Sequence, residues 1–145
     1  MKALLQRVTS AHVSVDDEII GRIDKGLLVL LGVEKHDGET NAIKLLEKLL
    51  AYRIFPDEQQ RMNRNVAEAG GGLLIVSQFT LAADTSKGLR PSFSSAAAPD
   101  EARRLYEWFL AELAQRHQPL ACGRFGANMQ VHLINDGPVT FLLET

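Results

Sequence analysis

The sequence predicts an α/β domain with a mainly antiparallel sheet and two principal helices. Three observations carry that expectation. Apolar runs with strand character recur and are joined by hairpin-like turns. Two stretches switch to apolar spacing of three and four residues. The 145 residues suffice for one hydrophobic core but not for two comfortable domains, so one domain over 1–145 is expected.

Residues 2–15 are rich in β-branched and apolar types, and Val13 and Val15 alternate with His12 and Ser14, which predicts a strand. Asp16-Asp17 should turn the chain into a second strand, Ile19 to Ile23, ending near Lys25-Gly26. Leu27 to Val33 is a continuous apolar run that suits a strand buried on both faces. Over 38–52, Ala42, Leu45, Leu46 and Leu49, with Ile43 and Leu50, define a helical face that Asp37 or Thr40 would cap. Residues 53–72, with Pro56 and Gly70-Gly71-Gly72, read mostly as loop. Leu73 to Val76 is a second buried strand running directly into Ser77-Gln78-Phe79-Thr80.

A polar connection over 83–98 holds Lys87, Arg90 and Pro91. Pro99 at a first helical position, followed by Asp100 and Glu101, starts the second helix. Its buried face should be Ala102, Leu105, Tyr106, Phe109 and Leu113, with Asp100–Arg104 and Glu112–Arg116 pairing outside. Phe125, Ala127, Met129, Val131 and Leu133 give the cleanest period-two pattern. Asn135-Asp136-Gly137-Pro138 should then turn the chain into a last strand, Val139 to Leu143.

Composition narrows the functional classes. A net charge of −2 argues against a generally basic nucleic-acid coat, though not against a local basic patch. The single cysteine, Cys122, allows no internal disulfide and is expected to be packed and inert. Charge at Lys2 and Arg7 interrupts the first residues, so no secretory leader, no membrane span and a cytoplasmic location are expected. The four histidines are scattered without metal-ligand spacing, so no metal and no cofactor are expected. Gly70-Gly71-Gly72 lacks the Gly-Lys-Ser/Thr of a phosphate loop, and a Gly-x-Ser-x-Gly elbow is absent.

Two segments remain as candidates for chemistry. A strand end that turns sharply at Ser77-Gln78-Phe79-Thr80 exposes backbone N–H groups able to bind an oxyanion, while Gln78 adds an amide and Thr80 a hydroxyl. Such groups equally cap an ordinary loop. Asp136-Gly137 is a hairpin signal, but Pro138 removes a donor where pairing should resume. A cis Gly-Pro bond is one way to accommodate it, and about one X–Pro bond in twenty is cis. It would set the two carbonyls side by side, a fork that could receive an ammonium group.

Taken together, the chain resembles the bacterial D-aminoacyl-tRNA deacylases, also called D-tyrosyl-tRNA deacylases. The matching segments are Leu5-Gln6-Arg7-Val8, residues 26–33, Tyr52-Arg53-Ile54-Phe55, residues 76–81, Arg90-Pro91-Ser92-Phe93 and residues 135–140. They run in family order along essentially the whole chain. The resemblance implies a sheet closing toward a barrel, and a homodimer acting on aminoacyl-tRNA with active sites at the subunit interface. It implies that Gly137 and Pro138, joined by a cis bond, enter the neighbouring subunit's site and reject L-amino acids. Gln78, Phe79 and Thr80 would line the reaction centre, with Ser77 beside them. Arg7 would hold the Gly-Pro loop, and Met129 would flank the pocket. Asn128 stands where many relatives carry aspartate, which removes a charge near that pocket.

The implied activity is hydrolysis of the D-aminoacyl ester, extending to mischarged glycyl-tRNA because glycine has no side chain to reject. Main-chain amides assisted by the 2′-hydroxyl of the terminal adenosine would supply the catalysis. Thr80 as a nucleophile is the alternative, but no histidine, lysine or carboxylate lies close in sequence to activate it. A non-catalytic nucleic-acid-binding module is a further reading, supported only by Lys87–Arg90. Lys87, Arg90 and Arg124 are candidates for contacts to acceptor-end phosphates and equally for solvated surface charge.

Overall fold

The computed structural model describes residues 1–145. Strand β1 (Lys2–Val15) is its axis. Asp16 and Asp17 both take positive φ, 51° and 65°. That conformation lets a two-residue hairpin turn follow the twist of its strands. Strand β2 (Glu18–Ile23) therefore folds back antiparallel, with Glu18 opposite Val15. Strand β3 (Gly26–Gly32) continues along the same edge, pairing antiparallel with Lys2–Val8.

Helix α1 (Glu39–Ala51) buries Ala42, Leu45, Leu46 and Leu49. Its N-cap is Gly38, not Asp37 or Thr40. Asp37 instead accepts hydrogen bonds from the Glu34 amide (2.7 Å) and the Met1 amine (2.7 Å), so its carboxylate is already engaged. The segment expected to be loop contains a small antiparallel ladder, β4 (Phe55–Pro56) with β5 (Met62–Arg64). Strand β6 (Gly72–Ser77) then runs parallel to β3. The first rung of that pair is Gly26 opposite Gly72, where an added Cβ would collide with the facing backbone.

Helix α2 (Pro99–Ala114) buries Ala102, Leu105, Tyr106, Phe109 and Leu113, the face the spacing predicts. Its outer pairs are partly different. Glu112 and Arg116 meet at 3.2 Å, whereas Arg104 reaches Glu39 (3.1 Å) and Glu101 (3.4 Å) and not Asp100. A short strand, β7 (Leu120–Cys122), pairs parallel with β6. Finally β8 (Gln130–Glu144) lies antiparallel along the other edge of β1.

The sheet is thus antiparallel around β1 and parallel from β3 through β6 to β7. It curls until its two ends approach: an added Cβ on Gly21 of β2 would stand 2.8 Å from the Cys122 carbonyl oxygen of β7. This near-barrel separates two apolar clusters. Leu27, Val29, Leu31, Leu73 and Ile75 face the helices, whereas Leu28, Leu74 and Val76 pack inward with Val8, Val13 and Ile23. Strands β3 and β6 are therefore buried on both faces, and each fully buried leucine contributes about 2 kcal/mol. No helix is long and apolar enough to cross a membrane.

Candidate active site

At the end of β6 the chain leaves the sheet. The Gln78 amide still donates to the Leu31 carbonyl (2.8 Å), and residues Phe79–Ala82 then form one turn of 3-10 helix. Gly32 makes room for it, since a Cβ there would meet Leu81 Cβ at 2.9 Å. The first N–H groups of such a turn have no acceptor within it. Gln78 Nε2 donates to Thr80 Oγ1 at 2.5 Å. Phe79 is 58% exposed and leans on Phe93, ring centres 5.1 Å apart.

These residues form one wall of an open pocket of about 450 Å³, lined by Val76, Ser77, Gln78 and Phe79. Ala97, Pro99 and Ala102 form a second wall at the start of α2. Phe125, Gly126, Ala127, Met129 and Val131 complete it. A tight turn presents Phe125: the Ala127 amide donates to the Arg124 carbonyl (3.2 Å), with Gly126 at φ 75°, which suits glycine. Behind it the buried Tyr106 hydroxyl donates to the Ile75 carbonyl (3.0 Å). Burial, and to a lesser degree Cys122, pushes that phenol well above its ordinary range, so it stays protonated and keeps this bond.

Arg7, Gly137 and Pro138 lie elsewhere and line no part of this pocket. The Asn135–Pro138 segment is not a hairpin turn, as its composition suggests. Both flanking stretches belong to β8 and pair with β1, Thr140 opposite Gln6 and Asn135 opposite Val8. Residues 136–139 therefore bulge out opposite Arg7 alone. Asn135 Nδ2 closes the neck by donating to the Arg7 carbonyl (2.9 Å) and the Val139 carbonyl (3.2 Å). Arg7 donates from Nη1 to the Ile54 carbonyl (2.7 Å). Its Nε stands 2.9 Å from Asp136 Oδ2, an ion pair without hydrogen-bond alignment that leaves this buried N–H unpartnered. Gly137 and Pro138 form the exposed apex, joined by a cis peptide bond.

Of the residues singled out from sequence, Ser77, Gln78, Phe79 and Met129 line the pocket, and Thr80 adjoins it through Gln78. Pro99, Ala102 and Phe125 also line it, although their sequence signal is that of helix or strand positions alone. The alternation from Phe125 to Met129 precedes β8, which begins at Gln130. Cys122 is exposed, contrary to the packed position expected for it, because it lies on the short terminal strand of the sheet. No three histidine, cysteine or acidic side chains gather in a way that could hold a metal ion.

The site is thus an apolar pocket beside turning backbone amides on a near-barrel α/β domain. The family model described as D-Tyr-tRNA(Tyr) deacylase matches residues 4–144. A D-aminoacyl-tRNA deacylase of Stutzerimonas stutzeri (strain A1501) is 63% identical over the full length of both chains. One from Cellvibrio japonicus (strain Ueda107) is 58% identical over 99% of each. Among solved structures, a protein described as c-Myc DNA Unwinding Element Binding Protein is 40% identical, with a TM-score of 0.95 over 100% of this chain and 99% of that one. A probable eukaryotic D-amino acid tRNA deacylase shares the fold at 19% identity, with a TM-score of 0.84 over 99% of this chain and 98% of that one. The chain belongs to the D-Tyr-tRNA(Tyr) deacylase family, a family of hydrolases.

Proposed function

We propose that the chain hydrolyses the ester joining a D-amino acid to the 3′ end of tRNA, releasing free D-amino acid and tRNA, and that it works as a homodimer. The observation that carries this reading is the pocket of about 450 Å³ opening beside the Ser77–Thr80 turn. The terminal nucleoside would occupy the apolar part, with the ester carbonyl against the Phe79 and Thr80 amides. Water attacks the carbonyl carbon, the amides stabilise the charge that develops on its oxygen, and the C–O bond to the ribose breaks. The neighbouring ribose 2′-hydroxyl assists, and the departing 3′-oxygen takes up a proton. Thr80 is a poor nucleophile here, because the partner of its Oγ1 is the Gln78 amide, a donor that cannot take up the hydroxyl proton.

Gly137 and Pro138 would act in the partner subunit's pocket. Their exposure, and their separation from the pocket of their own chain, support that role. A D side chain would project away from this backbone and an L side chain would clash with it. Glycine passes the same filter, so mischarged glycyl-tRNA is a substrate. Arg7 holds the apex from behind through Asp136.

Matched D- and L-tyrosyl-tRNA test the proposal: release of D-tyrosine alone is expected. Equal hydrolysis of both, or of neither, would sink it. A non-catalytic nucleic-acid-binding role is the second reading, favoured by the exposed Lys87 and Arg90 and by the DNA-binding description of the 40%-identical structure. Tight tRNA binding without amino-acid release would select it.

A further inference from the structure

Arg103 of α2 holds its guanidinium carbon 4.9 Å above the centre of the Phe125 ring. Its Nη2 stands 3.6 Å from where a Cβ on Gly126 would lie. Phe125 and Gly126 both line the pocket, so a permanent cation occupies its rim. Stacking on the aromatic face restrains the group. It uses only the flat face of the guanidinium and leaves the N–H donors around the edge free. Those donors are unspent: the ion-pair partner, Glu107, is 4.0 Å away.

The next residue behaves differently. Arg104 gives Nη1 to Glu39 (3.1 Å) and Nε to Glu101 (3.4 Å), so two surface carboxylates already hold its charge. Lys87, Arg90 and Arg124 are exposed as well, but no aromatic wall of the pocket anchors them.

We propose that Arg103 binds the phosphodiester linking the terminal nucleoside of the substrate RNA to its neighbour, and so holds that nucleoside in the pocket. This rests on the deacylase reading. With the ester at the Ser77–Thr80 wall, the nucleoside fills the apolar interior. Its phosphate has to stay outside, because an ion does not enter an apolar cavity unpaired. The Phe125–Gly126 rim is where a planar, doubly donating cation is waiting, and phosphate is the group that such a fork fits.

The test compares two esters, D-tyrosyl-tRNA and 3′-O-D-tyrosyl-adenosine, which has no phosphate. Arg103→Gln should raise KM for the tRNA about tenfold with kcat nearly unchanged, and flatten the dependence of log KM on log salt by about 0.7. For the adenosine ester the two proteins should match, and Arg103→Lys should recover part of the tRNA effect. Equal losses on both esters would mean that Arg103 merely props Phe125, and no loss on either would mean that it is solvated charge; each overturns the proposal. If the unsubstituted protein cleaves neither ester, the deacylase reading falls on its own. The phosphate site is then read from binding of a short single-stranded RNA, and an unchanged Kd in Arg103→Gln overturns it.

Discussion

The pocket draws its walls from three separated stretches, 76–79, 97–102 and 125–131, whereas the bulge is made within a single strand pair. The pocket is held by the core behind it, through Ala102, Tyr106 and the β6 backbone. The bulge is held by polar contacts from Asn135 and Arg7 and presents an apex with no wall around it. Two such regions should fail differently. Damage to the pocket should slow every substrate, and damage to the bulge should blur the distinction between substrates while leaving the pocket intact.

The sharpest break is expected at Gly137. Its φ is 120°, and an added Cβ would lie 2.7 Å from Val139 Cγ2 and 3.2 Å from Arg7 Nη2. Gly137→Ala should cut the preference for D- over L-tyrosyl-tRNA by about 100-fold, with D-tyrosyl-tRNA still cleaved. Loss of all cleavage with selectivity unmeasurable would show that the two regions are not separable. Phe125→Ala, on the pocket side, should lower kcat/KM about 30-fold for D-tyrosyl-tRNA, equivalent to roughly 2 kcal/mol, with the D-to-L ratio unchanged. A changed ratio would break the comparison from the other direction.

Smaller effects sharpen it. Asn135→Ala leaves two carbonyls at the neck without their donor, and urea unfolding should register about 1–3 kcal/mol of lost stability. An unchanged midpoint would mean that the ladder alone fixes the bulge. Thr80→Ala removes the oxygen that accepts from Gln78 Nε2, and single-turnover rates should fall no more than about fivefold. A collapse by several orders of magnitude would make Thr80 the nucleophile and the backbone a bystander.

What could be read in advance follows the range of the interactions involved. The Asp16-Asp17 turn, the two-faced burial of β3 and β6 and the inner face of α2 are written in neighbouring residues, and the structure has them. The Asn135–Pro138 segment carries turn residues, and these look the same whether a chain reverses or merely bulges. Only pairing with β1, more than a hundred residues away in sequence, separates the cases. Phe125, Ala127 and Met129 alternate as a strand would, yet they line the pocket from the turn and the irregular stretch before β8, and no local signal distinguishes the two. Strand β7 has three residues, too few to show any period.

The register of β8 carries one more consequence. Four residues bulge opposite Arg7, and Thr9 on β1 is then passed over, so the two halves of the pairing are offset by a net two residues. An even offset preserves which side chains face inward: Val131 and Leu133 before the bulge, Phe141 and Leu143 after it, all turn toward the protein while Ile134 and Leu142 face out. The inward phase of β8 is therefore continuous through the bulge. The apex leaves the sheet while the strand that carries it stays seated, so a projecting loop is mounted on an unbroken wall of the core.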